Sequence, residues 1–205
     1  MGPLFGDRQQ SARLYRFVSR FYDTLRPLFA GFPATRAAYY EYFDAGPEDL
    51  VLDLGCGTGA STAELATRAG SMVGVDISPQ QVGVARGKSD VDDAAFAVGD
   101  AMGLPFRTDV FDGVASVGSL QHVPEVGAAL AEAHRVTRPG GHLFVVGPRY
   151  PGNPVSAAVA DALMHFMRPA AIERRARAAG WTDVKTRTVP MRYLARRALV
   201  VTGTA

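Results

Sequence analysis

The chain has 205 residues, of which 47% are hydrophobic and 20% charged, and its formal net charge is +2. These values predict one compact domain with a full core and argue against a surface that coats nucleic acid. The single cysteine, Cys56, excludes a disulfide framework and a cysteine-ligated metal cluster, so a cytoplasmic location is expected. No run of 18 apolar residues and no signal-peptide core is found.

Residues 10–45 are rich in aromatic residues at helical spacing, and Pro27 and Pro33 divide them into two pieces. From residue 50 onward, short apolar runs alternate with helical patterns. We expect strands near 50–54, 72–76, 94–98, 112–117 and 142–147, and helices near 60–69, 79–88 and 125–136, the last beginning at Pro124. Such alternation predicts a parallel sheet that is covered on both faces.

The C-terminal part differs from this pattern. An arginine-rich helix is expected over 169–179, with Gly180 as its C-cap. Two strand-like runs follow at 183–189 and 197–203, and the link between them is short. Because a parallel crossover needs a dozen or more residues, these two runs predict an antiparallel hairpin.

The stretch VLDLGCGTG, residues 51–59, follows the first predicted strand. Its three glycines allow a tight turn and a close approach to a ligand, and Thr58 is a candidate cap for the following helix. In open α/β sheets, ligands bind beyond the carboxyl ends of the strands. The alternative is a tight connection that holds no ligand.

Two aspartates favour a nucleoside ligand. Asp76 ends the second predicted strand, where a carboxylate would accept hydrogen bonds from both hydroxyls of a ribose. Asp100 ends the third strand and would meet an adenine amino group. Either residue alone could be a turn residue or a helix cap. Three successive strand ends that each suit part of one nucleoside favour ligand binding over a purely structural role for the two aspartates.

The glycine spacing distinguishes between nucleoside ligands. A dinucleotide fingerprint reads G-x-G-x-x-G, whereas here the third glycine comes one residue early. Asp53, two residues before the first glycine, opposes a pyrophosphate but suits a ligand that carries an ammonium and a sulfonium. The turn therefore indicates S-adenosylmethionine and disfavours a nicotinamide dehydrogenase.

Residues 50–147 resemble the class I S-adenosylmethionine-dependent methyltransferases, in particular the broad group that includes the quinone-ring methyltransferases of ubiquinone and menaquinone biosynthesis. The matching stretches are VLDLGCGTG, VGVDIS, GDAMGLPF, FDGVASVGSLQHV and RVTRPGG. The resemblance implies a Rossmann-like α/β fold whose seven-stranded, mostly parallel sheet has the order 3-2-1-4-5-7-6, with a C-terminal antiparallel hairpin.

The resemblance also divides the single methyltransferase domain, residues 1–205, into four parts. These are a helical N-terminal cap (1–45), the cofactor-binding core (46–147), a short substrate-cap insertion (148–168) and the C-terminal helix with its hairpin (169–205).

The resemblance implies a set of cofactor-binding residues: Asp53, Gly55, Cys56, Gly57, Asp76, Ile77, Asp100, Ala101, Val117 and Gly118. The first four would serve the methionine end, with Asp53 as its electrostatic partner, and the last two would border the methionine arm. Asp76 would hold the ribose and Ile77 would pack on the adenine, whose edge Asp100 and Ala101 would contact. Cys56 is expected to be a small packing residue and not a nucleophile.

Two residues are candidates for catalysis. His122, in the loop after the fourth strand, is the first candidate for a general base; alternatively, it caps the next helix or contacts the cofactor. Tyr22, in the N-terminal helix, is the second, with a core aromatic as the alternative. His134, His142 and His165 are expected to be surface or packing residues. Alignment alone can account for much of the rate of methyl transfer.

The acceptor is less well defined by the sequence. Quinone-type members tend to have an Arg-Asn pair where this chain has Gln121-His122, and they carry a longer insertion than 148–168. The apolar cap favours a small hydrophobic or aromatic acceptor, methylated at oxygen, carbon or nitrogen, with no nucleic-acid partner. The alternatives are a protein or RNA acceptor and a non-catalytic cofactor-binding module. The protein is expected to be a monomer or a homodimer.

Overall fold

A computed structural model of the chain describes residues 33–88, 94–150, 167–190 and 197–205. Its first half contains α1 (Pro33–Tyr40), β1 (Leu50–Leu54), α2 (Ala60–Ala66), β2 (Ser71–Asp76), α3 (Pro79–Arg86) and β3 (Ala95–Val98). Its second half contains β4 (Phe111–Val117), a 3₁₀ turn (Leu120–His122), α4 (Val126–Val136), β5 (Thr137–Pro148), α5 (Pro169–Ala178), β6 (Thr182–Pro190) and β7 (Arg197–Thr204). Each predicted strand is therefore present.

Within the described ranges, seven strands form one sheet in the order β3-β2-β1-β4-β5-β7-β6. The first five strands are parallel, and β7 is antiparallel to both β5 and β6. The predicted strand order and the C-terminal antiparallel pair are confirmed. The order reverses beside β1, which has β2 on one side and β4 on the other.

The core lies on both faces of this sheet, because successive residues of a strand point in opposite directions. Val51 and Leu52 are both fully buried. Leu52 belongs to a cluster with Leu130 of α4, whereas Val51 belongs to a cluster with Tyr40 of α1 and Leu65 of α2. A strand that is buried on both sides needs a continuous apolar run, which explains the sequence LVLDL.

Several boundaries differ from the prediction. The α4 helix begins at Val126 with Glu125 as its N-cap, so Pro124 is not a helical residue. The β5 strand begins at Thr137 and not near 142, because Thr137 pairs with Phe111 before a register shift. The C-cap of α5 is Ala179, and Gly180 follows it with φ 108°.

Part of the predicted N-terminal cap is described. Tyr39, Tyr40 and Phe43 are buried against the sheet. Residues 10–32, with Tyr22, and residues 151–166, with His165, lie outside the described ranges, so the cap over the acceptor remains a prediction. None of the helices in the part of the chain that the structure describes has the length and apolar character needed to cross a bilayer.

Candidate cofactor and methyl-transfer site

A cavity lies at the carboxyl ends of β1 to β4, next to the reversal in strand order. Its walls are the glycine turn after β1, the end of β2 with the start of α3, the loop after β3 and the turn after β4. In sheets of this kind, the two connections that leave on either side of the reversal open a crevice between them. The strand order therefore places four sequence-distant segments around one ligand-sized space.

The glycine turn is held between β2 and the turn after β4. The N–H groups of Gly55 and Cys56 both donate to the carbonyl oxygen of Val75, at 2.7 and 3.0 Å. Gly55 has φ 77°, and a Cβ placed on it would stand 2.3 Å from the Cβ of Ser119. The hydroxyl of Ser119 donates to the carbonyl of Leu54 at 2.6 Å. Both backbone conformation and space therefore require glycine at position 55.

Asp53 lies beneath the turn and does not line the cavity. Its carboxylate is fully buried and accepts hydrogen bonds from the hydroxyls of Ser61 and Thr62, at 2.9 and 2.7 Å. These contacts join the end of β1 to the first turn of α2. The N-cap of α2 is Gly59, in the left-handed conformation, so the prediction that Thr58 caps this helix is wrong.

Asp76 lines the cavity at the end of β2. One carboxylate oxygen accepts from the N–H of Gly57 at 3.0 Å, and the other from the N–H of Ser78 at 2.9 Å. Burial raises the pKa of Asp76, and these two hydrogen bonds lower it in part. A carboxylate offers about four lone-pair sites, so about two remain for ribose hydroxyls. The next residue, Ile77, also lines the cavity and is 48% exposed, as a surface for an adenine ring would be.

Asp100 and Ala101 form the wall after β3. The carboxylate of Asp100 accepts from the N–H of Met102 at 3.0 Å, and its carbonyl accepts from the N–H of Gly103 at 3.0 Å. These bonds fold the loop into a tight turn beside the cavity. The loop and the end of β2 therefore line one cavity with two carboxylates, Asp76 and Asp100, and the apolar side chain of Ile77. Carboxylate oxygens can accept from the hydroxyl and amino groups of an adenosine, and Ile77 can pack on its ring.

The turn after β4 forms the opposite wall, with Val117, Gly118, Ser119 and His122. Gly118 has φ 72°, and its carbonyl accepts from the side-chain amide of Gln121 at 2.8 Å. His122 ends a 3₁₀ turn, and its N–H donates to the carbonyl of Ser119 at 2.9 Å. Since the N-cap of α4 is Glu125, His122 does not cap that helix.

Cys56 lies in the glycine turn, yet it packs into a small cluster with Val82, Ala85 and Phe96 and is 3% exposed. Burial and the nearby carboxylates of Asp53 and Asp76 raise the pKa of its thiol far above the usual range. The thiolate is the nucleophilic form of cysteine. A packing role, and no nucleophilic role, follows from this environment.

The other histidines in the described ranges lie away from the cavity. His134 packs edge-on against Trp181, with ring centroids 5.2 Å apart. His142 makes an edge contact with Phe43, at 6.1 Å between ring centroids. Neither lines the cavity, so packing accounts for both side chains.

Sequence reasoning missed four polar residues of the cavity wall: Ser61, Ser78, Gln81 and Ser119. Gln81 stands three residues after Ser78, which caps α3, so helix geometry alone would have placed it in the first turn beside Asp76. Ser119 reaches the glycine turn across 65 positions of sequence, and no local pattern signals that contact.

Comparisons with known proteins agree with this geometry. Residues 52–145 match the family model described as a methyltransferase domain. The demethylmenaquinone methyltransferase of Beutenbergia cavernae is 37% identical over 168 residues, which cover 80% of this chain and 69% of that protein. The chloroplastic 2-methyl-6-phytyl-1,4-hydroquinone methyltransferase of Spinacia oleracea is 30% identical over 186 residues, covering 89% of this chain and 54% of that protein.

The chain thus spans about half the length of the spinach relative and about two thirds of the bacterial one. Among solved structures, phosphoethanolamine N-methyltransferase 2 of Haemonchus contortus, in complex with phosphomonomethylethanolamine and S-adenosylhomocysteine, superposes with a TM-score of 0.75. Its sequence identity is 16%, and the match covers 93% of this chain and 58% of that one. At that identity the likeness concerns the fold alone.

Proposed function

This chain belongs to the class I S-adenosylmethionine-dependent methyltransferases, and we propose that it transfers a methyl group to a small hydrophobic aromatic acceptor of the hydroquinone type. The observation that carries the proposal is the cavity wall after β4. There His122 stands among apolar side chains, Val117, Val123 and Pro124, beside the glycine turn. A hydroxylated aromatic ring needs such a combination of one polar group and an apolar surface.

The relatives support the acceptor class. The bacterial relative is named as a methyltransferase of demethylmenaquinone, and the spinach relative as a methyltransferase of a phytyl-substituted hydroquinone. Both molecules carry an oxygenated ring and a lipophilic tail. We infer this acceptor class from both relatives and do not assign a particular quinone. The reason is that this chain has Gln121-His122 where quinone-type members tend to have Arg-Asn.

S-adenosylmethionine supplies a methyl carbon on a positively charged sulfur, which departs as a neutral thioether. In the proposal, Asp76 accepts from the ribose hydroxyls, Ile77 packs on the adenine, and Asp100 with Ala101 contacts the adenine edge. The turn from Gly55 to Gly57 then faces the methionine end, and Val117 and Gly118 border it. All of these residues line the cavity.

His122 has the proposed role of general base. A neutral imidazole nitrogen of His122 accepts the proton of the acceptor hydroxyl. The acceptor thereby becomes an electron-rich phenolate, which attacks the methyl carbon as the thioether leaves. A positioned base of this kind contributes about 10²–10⁴-fold to the rate. Alignment within the cavity contributes the rest, up to roughly 7–11 kcal/mol for well-oriented reactants. Tyr22, the other catalytic candidate, lies outside the described ranges.

The test is a transfer assay with S-adenosylmethionine labelled at its methyl group. The panel contains hydroquinones with no tail, a short prenyl tail and a long one, together with phosphoethanolamine, RNA and a mixture of unmethylated proteins. We expect label in a tailed hydroquinone, and NMR of the product identifies the methylated atom. If only RNA or only protein became labelled, the proposed acceptor class would be wrong and the labelled macromolecule would be the acceptor.

Calorimetry gives the matching control for cofactor choice. S-adenosylhomocysteine should bind in the micromolar range and NAD should not, because Asp53 and the short glycine spacing disfavour a pyrophosphate. Binding of S-adenosylhomocysteine without transfer to any member of the panel would favour a non-catalytic cofactor-binding module. Tighter binding of NAD would contradict the proposed function altogether.

A further inference from the structure

Gln81 is a buried polar residue without an evident structural role for its carbonyl group. It lies in the first turn of α3 and is 4% exposed. Its side-chain oxygen, Oε1, is fully buried and has no hydrogen-bond partner among the residues that the structure describes. Since buried side-chain oxygens in folded proteins nearly always accept a hydrogen bond, an unpartnered one suggests that a ligand supplies the donor.

The position of Gln81 shows which ligand group is within reach. The residue lines the cofactor cavity. Its Oε1 is the atom closest to where a Cβ on Gly57 would stand, at 3.6 Å. The N–H of Gly57 in turn donates to Asp76. Gln81 and Asp76 therefore meet the same residue of the glycine turn from two elements, α3 and β2.

The first turn of α3 fixes the backbone of Gln81. Ser78 is the N-cap of α3, and its hydroxyl accepts from the N–H of Gln81 at 3.3 Å. The neighbouring Val82 is 1% exposed and packs beneath the turn with Cys56. The backbone of Gln81 is therefore fixed on both sides, and its side chain leaves the helix at the cavity wall.

We propose that Gln81 is a cofactor-binding residue whose side-chain oxygen accepts a hydrogen bond from a ribose hydroxyl, beside Asp76. This inference rests on the proposed function, because it takes S-adenosylmethionine as the ligand. Ribose hydroxyls are the donors that the nucleoside offers near Asp76, since the adenine amino group is assigned to the loop at Asp100. A neutral acceptor also adds a second hydrogen bond without bringing a second charge next to the Asp76 carboxylate.

The experiment measures binding of S-adenosylhomocysteine by calorimetry to the parent and to Gln81→Met, which keeps the length of the side chain and removes its hydrogen-bonding groups. We expect affinity to fall about 3- to 10-fold, the range for one neutral hydrogen bond. The same titrations with 2′-deoxy and 3′-deoxy S-adenosylhomocysteine identify the hydroxyl. For one of these analogues, the parent and the variant should bind equally.

Val84→Met is the control, because Val84 lies on the same helix, is exposed and does not line the cavity. It should bind S-adenosylhomocysteine as the parent does. The ligand-free Gln81→Met protein should melt at the parent temperature or above it, since the variant removes an unsatisfied buried group. If methionine disturbs packing and lowers the melting temperature, Gln81→Ala provides the same binding comparison.

Unchanged affinity in both Gln81 variants would overturn the inference. So would an equal loss for S-adenosylhomocysteine and both deoxy analogues, because a residue that only shapes the pocket affects all three ligands alike. Failure of the parent itself to bind S-adenosylhomocysteine would instead refute the proposed function. The two failures are thus distinguished by the parent titration.

Discussion

The backbone N–H of Gly57 donates a hydrogen bond to the carboxylate of Asp76, with 3.0 Å between the nitrogen and the oxygen. This bond joins the turn after β1 to the end of β2, across 19 positions of sequence. Asp76 is therefore both a candidate ligand for the cofactor ribose and a support for the turn that faces the methionine end. Loss of its carboxylate should affect two contacts of the cofactor at once.

Asp76→Ala should weaken binding of S-adenosylhomocysteine by roughly 10- to 150-fold. The estimate follows from about 1.5–3 kcal/mol for hydrogen bonds to a charged group, at tenfold per 1.4 kcal/mol. Asp100→Asn should cost less, because an amide oxygen still accepts from an adenine amino group. Calorimetry on both variants provides the comparison, and parent-like binding by both would contradict the assignment of the strand ends.

Gly55→Ala should disrupt the glycine turn. The new Cβ would stand 2.3 Å from the Cβ of Ser119, and φ at this position is 77°. Backbone strain and the clash together should lower the free energy of unfolding by more than about 2 kcal/mol and abolish cofactor binding. Urea unfolding and calorimetry measure the two effects.

Gly83→Ala is the matched control for that variant. Gly83 lies inside α3, and a Cβ placed there has nothing within 4 Å. Alanine in an exposed helix interior is favoured over glycine by about 0.5–1 kcal/mol, so this variant should be more stable than the parent and bind the cofactor normally. If Gly55→Ala and Gly83→Ala had the same stability and the same affinity for the cofactor, the close contact at Gly55 would not be the reason for glycine there.

His122→Ala should lower kcat by about 10²–10⁴-fold and change cofactor affinity little, because a general base acts in the transition state. In the parent, the rate should fall in acid, because a protonated His122 can no longer accept a proton from the acceptor hydroxyl. The variant should lack this acidic limb. The measurement is a pH–rate profile at saturating cofactor.

A different result would assign His122 to the cofactor pocket. In that case affinity for S-adenosylhomocysteine would drop, kcat would change less, and parent and variant would share one pH profile. Alignment of the acceptor would then be the main source of catalysis.

His142 should make the fold less stable in mild acid. Burial lowers the pKa of His142, and the carboxylates of Asp49, Asp44 and Asp112 offset this only in part. The folded protein therefore favours neutral imidazole, whereas the unfolded chain binds a proton below about pH 6.5. The free energy of unfolding should fall as pH drops through that value, by at most about 1.4 kcal/mol per pH unit for one proton.

Urea unfolding of the parent and of His142→Gln at pH 7.5, 6.5 and 5.5 tests this linkage. As the pH falls, the free energy of unfolding of the parent should decrease more than that of His142→Gln. A difference that stays constant over this range would show that His142 titrates equally in the folded and unfolded states.

Much of the fold followed from local pattern. The apolar run at 50–54 and the glycines of 55–59 predicted a buried strand and a tight turn, and β1 and the left-handed glycines occur there. The short link before residue 197 predicted the antiparallel pairing of β6 with β7. Residue alternation and the requirements of a turn act over a few residues, so one sequence contains enough information to recognise them.

Other features depended on which segments meet in the folded chain. The β5 strand starts at Thr137 because Phe111 lies beside it, and the contact between Ser119 and Leu54 joins residues 65 positions apart. The sequence likewise does not show that the side-chain oxygen of Gln81 is buried beside Gly57, at the cavity wall. The sequence by itself determined the strands, the turn and the family to which they point. The tertiary structure decided which side chains share the cavity, because hydrogen bonds between distant residues arise from packing and leave no local pattern.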